Sequence, residues 1–250
     1  MNATTVNNLS LANMDMGLPT TLYAANVHSI FWLGNNDETA FRCNTYLIVD
    51  QHEAIHVDTG SKQYFSRVKQ RGAQIMPPEK VSGMVLCHQD PDVAASMTDR
   101  LDINPSMLVF TTPRTQVLLP HYGRSGYPYY DVTENPVYTF PSGASLKFVE
   151  APFLHFPGAF VTCDAQARYL FSGDIWAALD MEWTLTVNSF EEHILKMNLF
   201  HLDYMTSNLA AKGFVRRIEN FTIDAILPQH VACRPRLSAQ LALWHRHHLC

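Results

Sequence analysis

Four segments of this chain share one grammar, an apolar run followed by a histidine or aspartate beside glycine or proline. That repetition constrains the fold more than any other feature. The first run is Val81-Ser82-Gly83-Met84-Val85-Leu86, which reads as a buried strand and leads into Cys87-His88-Gln89-Asp90-Pro91-Asp92-Val93. An extended backbone there puts His88, Asp90 and Asp92 on one side by period-two alternation. An imidazole beside two carboxylates makes a poor core and a good metal site. Pro91 disfavours an immediate helix at Asp90. The other segments are Pro152-Phe153-Leu154-His155-Phe156-Pro157-Gly158, Leu170-Phe171-Ser172-Gly173-Asp174 and Ile226-Leu227-Pro228-Gln229-His230. Each alone reads equally well as a solvated loop, a common turn or a satisfied core histidine. Together they place His and Asp from four elements at one edge of a layered structure, where loops vary over a rigid scaffold.

The pattern between these segments supplies the layers. Short β-branched or aromatic runs at 29–33, 45–49 and 54–57 read as strands, and Asp58-Thr59-Gly60 ends the third. Ser61 is placed to cap a helix running to about Arg71. A helix from about Ala94, a strand at 108–111 and a helix near Pro113 follow. Residues 121–143, rich in Tyr, Gly and Pro, read as an irregular loop. Strands return at 145–149, 160–163 and 169–172, then helices at 189–202 and 205–218 and a strand at 225–227. Such an order suits two stacked sheets covered by helices, an α/β sandwich. Residues 1–20 are expected to be a flexible arm, 21–237 a single domain, and 238–250 a helical tail whose His245, His247 and His248 form an exposed end. No G-x-G-x-x-G follows a strand, so a dinucleotide site is not expected.

Composition excludes several classes. The chain has 250 residues, 47% of them hydrophobic, enough for one sizeable core. Its net charge is −5 with only 18 Lys and Arg and no basic run, so nucleic acid and anionic membrane are not expected partners. No 18-residue apolar stretch occurs, and the first twenty residues do not read as a signal peptide. The five cysteines (Cys43, Cys87, Cys163, Cys233, Cys250) contain no C-x-x-C pair, which argues against a disulfide scaffold or a thiolate zinc ribbon. Cys87 and Cys163 are expected to be buried thiols, and the location to be cytoplasmic.

Read in order, His88-x-Asp90-x-Asp92, His155, Asp174 and His230, with Asp58-Thr59-Gly60 ahead of them, resemble the metallo-β-lactamase superfamily across residues 29 to about 237. The resemblance implies an αββα sandwich with two metals at one edge. Most hydrolases of that superfamily have His at the position of Asp90. A carboxylate there is similar to the flavodiiron proteins and the related oxygen-binding diiron proteins, as are Asn44-Thr45-Tyr46-Leu47-Ile48-Val49 and His155-Phe156-Pro157-Gly158. By that resemblance His88, Asp90 and His155 hold one iron, Asp92 and His230 the other, and Asp174 bridges them. The cofactor implied is a pair of iron ions with an oxo, hydroxo or O2-derived bridge, with zinc or manganese as alternatives. The function implied is dioxygen binding in an oxygen sensor, with slow reduction of O2 or NO beside it. The implied partners are dioxygen or NO, an electron-donor protein or signalling effector, and a second copy of the chain. The rival reading is a dinuclear zinc hydrolase.

The chain departs from that branch in four places. Val93 stands where the pattern has a sixth-position His, leaving the second metal short of a protein ligand. Asp90 is one methylene shorter than the usual Glu. No counterpart of the branch's pocket histidine is found near the first strands, and His28 and His56 are read as structural. The flavodoxin domain of flavodiiron proteins is absent from these 250 residues, which favours sensing over turnover. Tyr122, Tyr127, Tyr129, Tyr130, Trp176 and Phe156 are the aromatic candidates for lining a pocket.

Overall fold

The computed structural model describes residues 4–5, 15, 17–34, 42–179, 185, 187, 189–230 and 234–235. Alternation along the strands decides its layers. In β4 (Thr45–Asp50), Tyr46 and Ile48 enter one core while Leu47 enters another on the opposite face. In β12 (Tyr169–Gly173), Tyr169 and Phe171 enter that first core and Leu170 a third. Among the described residues, the first sheet has eight strands in chain order: β1 (Thr4–Thr5), β2 (Thr20–Ala25), β3 (His28–Gly34), β4, β5 (Glu53–Val57), β6 (Gly83–Val85), β7 (Leu108–Thr111) and β8 (Tyr129–Asp131). The second sheet has six, ordered β14 (Arg234–Pro235), β13 (Ala225–Pro228), β12, β11 (Phe160–Asp164), β10 (Ser145–Glu150) and β9 (Val137–Thr139).

The inner faces meet in a core that includes Trp32, Tyr46, Phe110, Phe148, Phe160 and Phe171. The outer face of the first sheet packs under α1 (Phe65–Gly72), α2 (Pro91–Ala94) and α3 (Met97–Ile103), through Val68, Val93, Met97 and Leu101. The outer face of the second packs under α5 (Phe190–Tyr204) and α6 (Asn208–Ile218), through Met197, Ala211, Phe214, Val215 and Ile218. Helices therefore cover the outer faces of both sheets, and the architecture is the αββα sandwich. Ser189 and Ser207 cap α5 and α6, accepting from the backbone N–H of Glu192 and Ala210 at 3.4 and 3.3 Å.

Several local expectations are corrected. Residues 121–143 contain β8 and β9, three residues each, held by aromatic packing of Tyr130 and Tyr138 on Phe110 at 4.8 and 5.0 Å. Thr4–Thr5 pairs with Tyr23 and Ala24, so part of the expected arm is strand. Ser61 precedes a 3-10 turn, Lys62–Tyr64, and its side chain makes no capping bond. The helix near Pro113 is the four-residue α4 (Pro113–Gln116), capped by Thr112. The helix expected from Ala94 begins at Pro91, because proline at the first helical position needs no N–H and brings a helical φ. The tail His245, His247 and His248 lie outside the described residues.

The topology sets the functional edge. β12 and β13 are parallel, as are β5, β6 and β7, so the carboxyl ends of β12 and β13 and that of β6 feed their loops to a common edge. The backbone N–H of Phe160, at the start of β11, bonds to Cys87 O and joins the two sheets there.

Candidate metal centre

All six predicted residues converge at this edge. His88 follows β6, and Asp90 is the extended N-cap of α2, with φ −63° and ψ 152°. His155 lies between β10 and β11, Asp174 directly follows β12, and His230 follows β13. Gly173 enables the Asp174 turn: its φ is +55°, a conformation a side chain disfavours, and an added Cβ would stand 3.0 Å from Cys87 Sγ.

The six form two groups rather than the single row that an extended strand end implies. His88, Asp90 and His155 offer donor atoms within 4.8 Å of one another. Asp92 instead stands with His230 in a second group. The helix starting at Pro91 makes this division, because Asp92 sits in its first turn and not two extended residues beyond Asp90. Asp174 lies between the groups. Its Oδ2 is 2.8 Å from His155 Nε2 and 3.3 Å from His88 Nε2. Its Oδ1 is 3.3 Å from His230 Nε2, which is 3.1 Å from Asp92 Oδ2.

Neighbouring groups aim each side chain. His230 Nδ1 lies 2.9 Å from Arg42 O, a donor bond that leaves Nε2 to face the centre. His88 Nδ1 contacts Cys87 Sγ at 3.1 Å, and its Nε2 likewise turns inward. The Gln229 amide donates to Asp92 Oδ2 at 3.3 Å, and Gln89 donates to Asp90 Oδ1, leaving Oδ2 towards His155. The Asn44 amide and Tyr46 hydroxyl both donate to Pro228 O, at 3.0 and 2.7 Å, and hold the loop that carries His230.

The donor set fits metal cations. His88 Nε2 and Asp174 Oδ1 are buried and make no hydrogen bond among the described residues, although both point into the cluster. Such buried atoms are costly unless a cation or another polar group satisfies them. The electrostatics agree. Burial opposes charge on His155, but hydrogen bonds and charge from Asp174 and Asp90 prevail and raise its pKa to about 10. Burial likewise opposes charge on Asp174, yet His88, His155 and His230 hold its carboxyl well below the usual range. Three carboxylates thus create a field that favours positive charge, which two cations would satisfy.

Four residues at the site carry no sequence signal of their own. Cys43 sits opposite His230 in an isolated antiparallel bridge and offers its sulfur to the second group. Burial pushes its thiol pKa up, and His230 partly offsets this. Phe200 and Tyr204, one helical turn apart on α5, stack at 4.6 Å and lie against His230 and His155, at 5.8 and 5.9 Å. His201 accepts from Trp176 N–H at 3.1 Å and ties α5 to the Asp174 loop. The expected aromatic lining is mostly elsewhere. Tyr130 packs on Phe110, and the Trp176 ring packs on Phe214. Of the expected tyrosines, Tyr122 reaches the loop between His88 and Asp90, donating to Gln89 O at 2.6 Å. Val93 is fully buried among Leu86, Met97 and Leu101, facing the outer core.

A family model described as ODP family beta lactamase matches residues 41–231. The chain belongs to that family. This ODP-family chain is similar to the solved structure of the chemotaxis sensor ODP in its peroxy diiron species, with TM-score 0.80 and 29% identity over 90% of this chain and 93% of that one. It is similar to apo ODP from T. denticola with TM-score 0.78 and 29% identity, covering 87% and 88%. A nitric oxide reductase of Moorella thermoacetica is 30% identical over 52% of this chain and 33% of that protein. The chain spans about a third or less of the first curated relatives it matches, 23% and 34% for the diflavin flavoproteins of Synechocystis and Nostoc. None of the described helices is long and apolar enough to cross a membrane.

Proposed function

We propose that this ODP-family domain holds two iron ions and binds dioxygen at that dinuclear site as an oxygen sensor. The observation that carries the reading is the Asp174 carboxylate, whose two oxygens face different donor groups. Similarity to the chemotaxis sensor ODP over 93% of that chain supports the sensing role.

His88, Asp90 and His155 would hold one ion, Asp92 and His230 the other, and Asp174 both. Three carboxylates offset three of the four charges of two ferrous ions, and their hard oxygens favour the ferric state. When bound, the pair of irons supplies the two electrons with which dioxygen is taken up. The protein's part is placement and access. Asp90, His155 and Asp92 retain 31%, 20% and 21% side-chain exposure while His88, Asp174 and His230 retain 3%, 2% and 0%, so each donor group has one open side at which a small ligand can enter. Phe200 and Tyr204 form an aromatic cover beside His230 and His155 and reduce the water available to the buried donors. A signalling effector that reads the bound state, or an electron donor that resets it, is the partner such a site needs. Slow reduction of O2 or NO follows where a donor is supplied.

The test is to load the protein with Fe(II) without air, count the metal, admit O2 and record the visible spectrum. Two irons per chain and a new ferric charge-transfer band are expected. A zinc-containing protein that takes up no iron and shows no spectral change would overturn the proposal in favour of a hydrolase.

A further inference from the structure

We infer that Cys43 is a ligand of the second metal ion, supplying as a thiolate the donor that Val93 does not. The inference rests on the two-ion reading above. Val93 is packed in the outer core and its backbone carbonyl is bonded by Thr59 Oγ1 at 2.7 Å, so α2 cannot bring a donor from this position. Without Cys43 the second ion has Asp92, His230 and one oxygen of Asp174.

Cys43 arrives from the opposite sheet. Its isolated bridge with His230 joins the approach to β4 to the exit of β13, and Asn44 N–H bonds to Gln229 O beside it. The Trp32 indole donates to Asn44 Oδ1 at 2.9 Å, and Asn44 donates onward to Pro228 O, so the cysteine and histidine rest on one hydrogen-bonded platform. The sulfur stands 3.6 Å from Asp92 Oδ2. An oxygen about 2.1 Å and a sulfur about 2.3 Å from one ion, at a tetrahedral angle, lie about 3.6 Å apart. The donor atoms of Cys43, Asp92 and His230 all lie within 4.8 Å of one another, so three donors converge on one point rather than two groups sharing a proton. With Asp90, Asp92 and Asp174, a thiolate brings four negative donors to two divalent ions and leaves the buried centre neutral, which is the cheaper state in a low dielectric. On binding, the Sγ–metal bond forms and the thiol proton leaves to solvent, with no change of oxidation state. A soft sulfur on one ion only would make the two irons inequivalent.

The test titrates the full metal-free chain with Co(II) under argon and records X-ray absorption on the iron-loaded chain. A near-ultraviolet thiolate-to-cobalt band is expected in wild type and absent in Cys43→Ser and Cys43→Ala, with affinity for the second ion reduced about 10–100-fold. A sulfur neighbour at about 2.3 Å is expected at the iron edge, and it needs no variant. Two ions bound with neither band nor sulfur neighbour would overturn the role of Cys43 and leave the dinuclear centre standing. Wild type that never binds more than one ion, without sulfur, would overturn both.

Discussion

The sandwich is pinned at the edge opposite the metal centre by a buried acid–histidine–acid group, and His28→Phe tests that pin. His28, on β3, contacts Asp50 Oδ2 on the adjoining strand at 2.9 Å through Nδ1 and Asp164 Oδ2 on β11 at 2.7 Å through Nε2. All three side chains are at most 1% exposed. The group therefore ties the two sheets together. Removing one partner of a buried ion pair costs about 3–5 kcal/mol. Asp50 would keep the Ser142 hydroxyl, and Asp164 the backbone N–H of Gln166 and Ala167, which puts the cost at the low end, about 3 kcal/mol. For a chain of this size that is a fall in Tm of about 6–12 °C. The pH dependence has a definite sign. Burial lowers the His28 pKa, but Asp164 and Asp50 outweigh burial and raise it above 6.5. A raised histidine pKa contributes stability fully below the unfolded value and loses it as pH rises through the folded one. Calorimetry on wild type and variant at equal metal content, from about pH 6 upward, should show the largest Tm gap at the acid end, narrowing with rising pH. A gap below about 2 °C at pH 6, or one that widens with pH, would refute the reasoning.

Three further outcomes probe the metal edge. Asp174→Asn removes a charge and one of the two oxygens that face the donor groups, and should retain at most one ion per chain after desalting; two retained ions would contradict the proposed bridge. Asp90→His makes the first group more like that of a zinc hydrolase and should abolish the optical response to O2, so an unchanged response in a fully loaded variant would count against Asp90. Val93→His places an imidazole in the outer core and should cost at least about 2 kcal/mol, measured by denaturant unfolding, without tightening metal binding. Tighter binding of the second ion in that variant would show that α2 can turn towards the centre.

What the sequence revealed, and what it did not, divides along physical lines. Strand-end donors were legible because apolar runs mark the buried strands, and His or Asp at their ends has no place in a core. The two sheets were legible from the alternation of Tyr46, Leu47 and Ile48 and of Tyr169, Leu170 and Phe171. The division of Asp90 from Asp92 was not, because it depends on Pro91 starting a helix where an extended strand end was expected. The strands β8 and β9 were hidden for a different reason: three-residue edge strands among Tyr, Pro and Gly depend on tertiary packing against Phe110. Cys43 was invisible as a donor because its neighbour His230 is 187 residues away and is reached only across the two sheets. Phe200 and Tyr204 read as ordinary helix residues until α5 is docked by His201.

The central claim is that six side chains hold two iron ions with Asp174 between them. Anomalous diffraction at the iron edge from crystals of the iron-loaded chain tests it most directly. The account predicts two peaks about 3.5–4 Å apart, one beside His88, Asp90 and His155, the other beside Asp92 and His230. A single peak, or a pair that Asp174 does not separate, would contradict it.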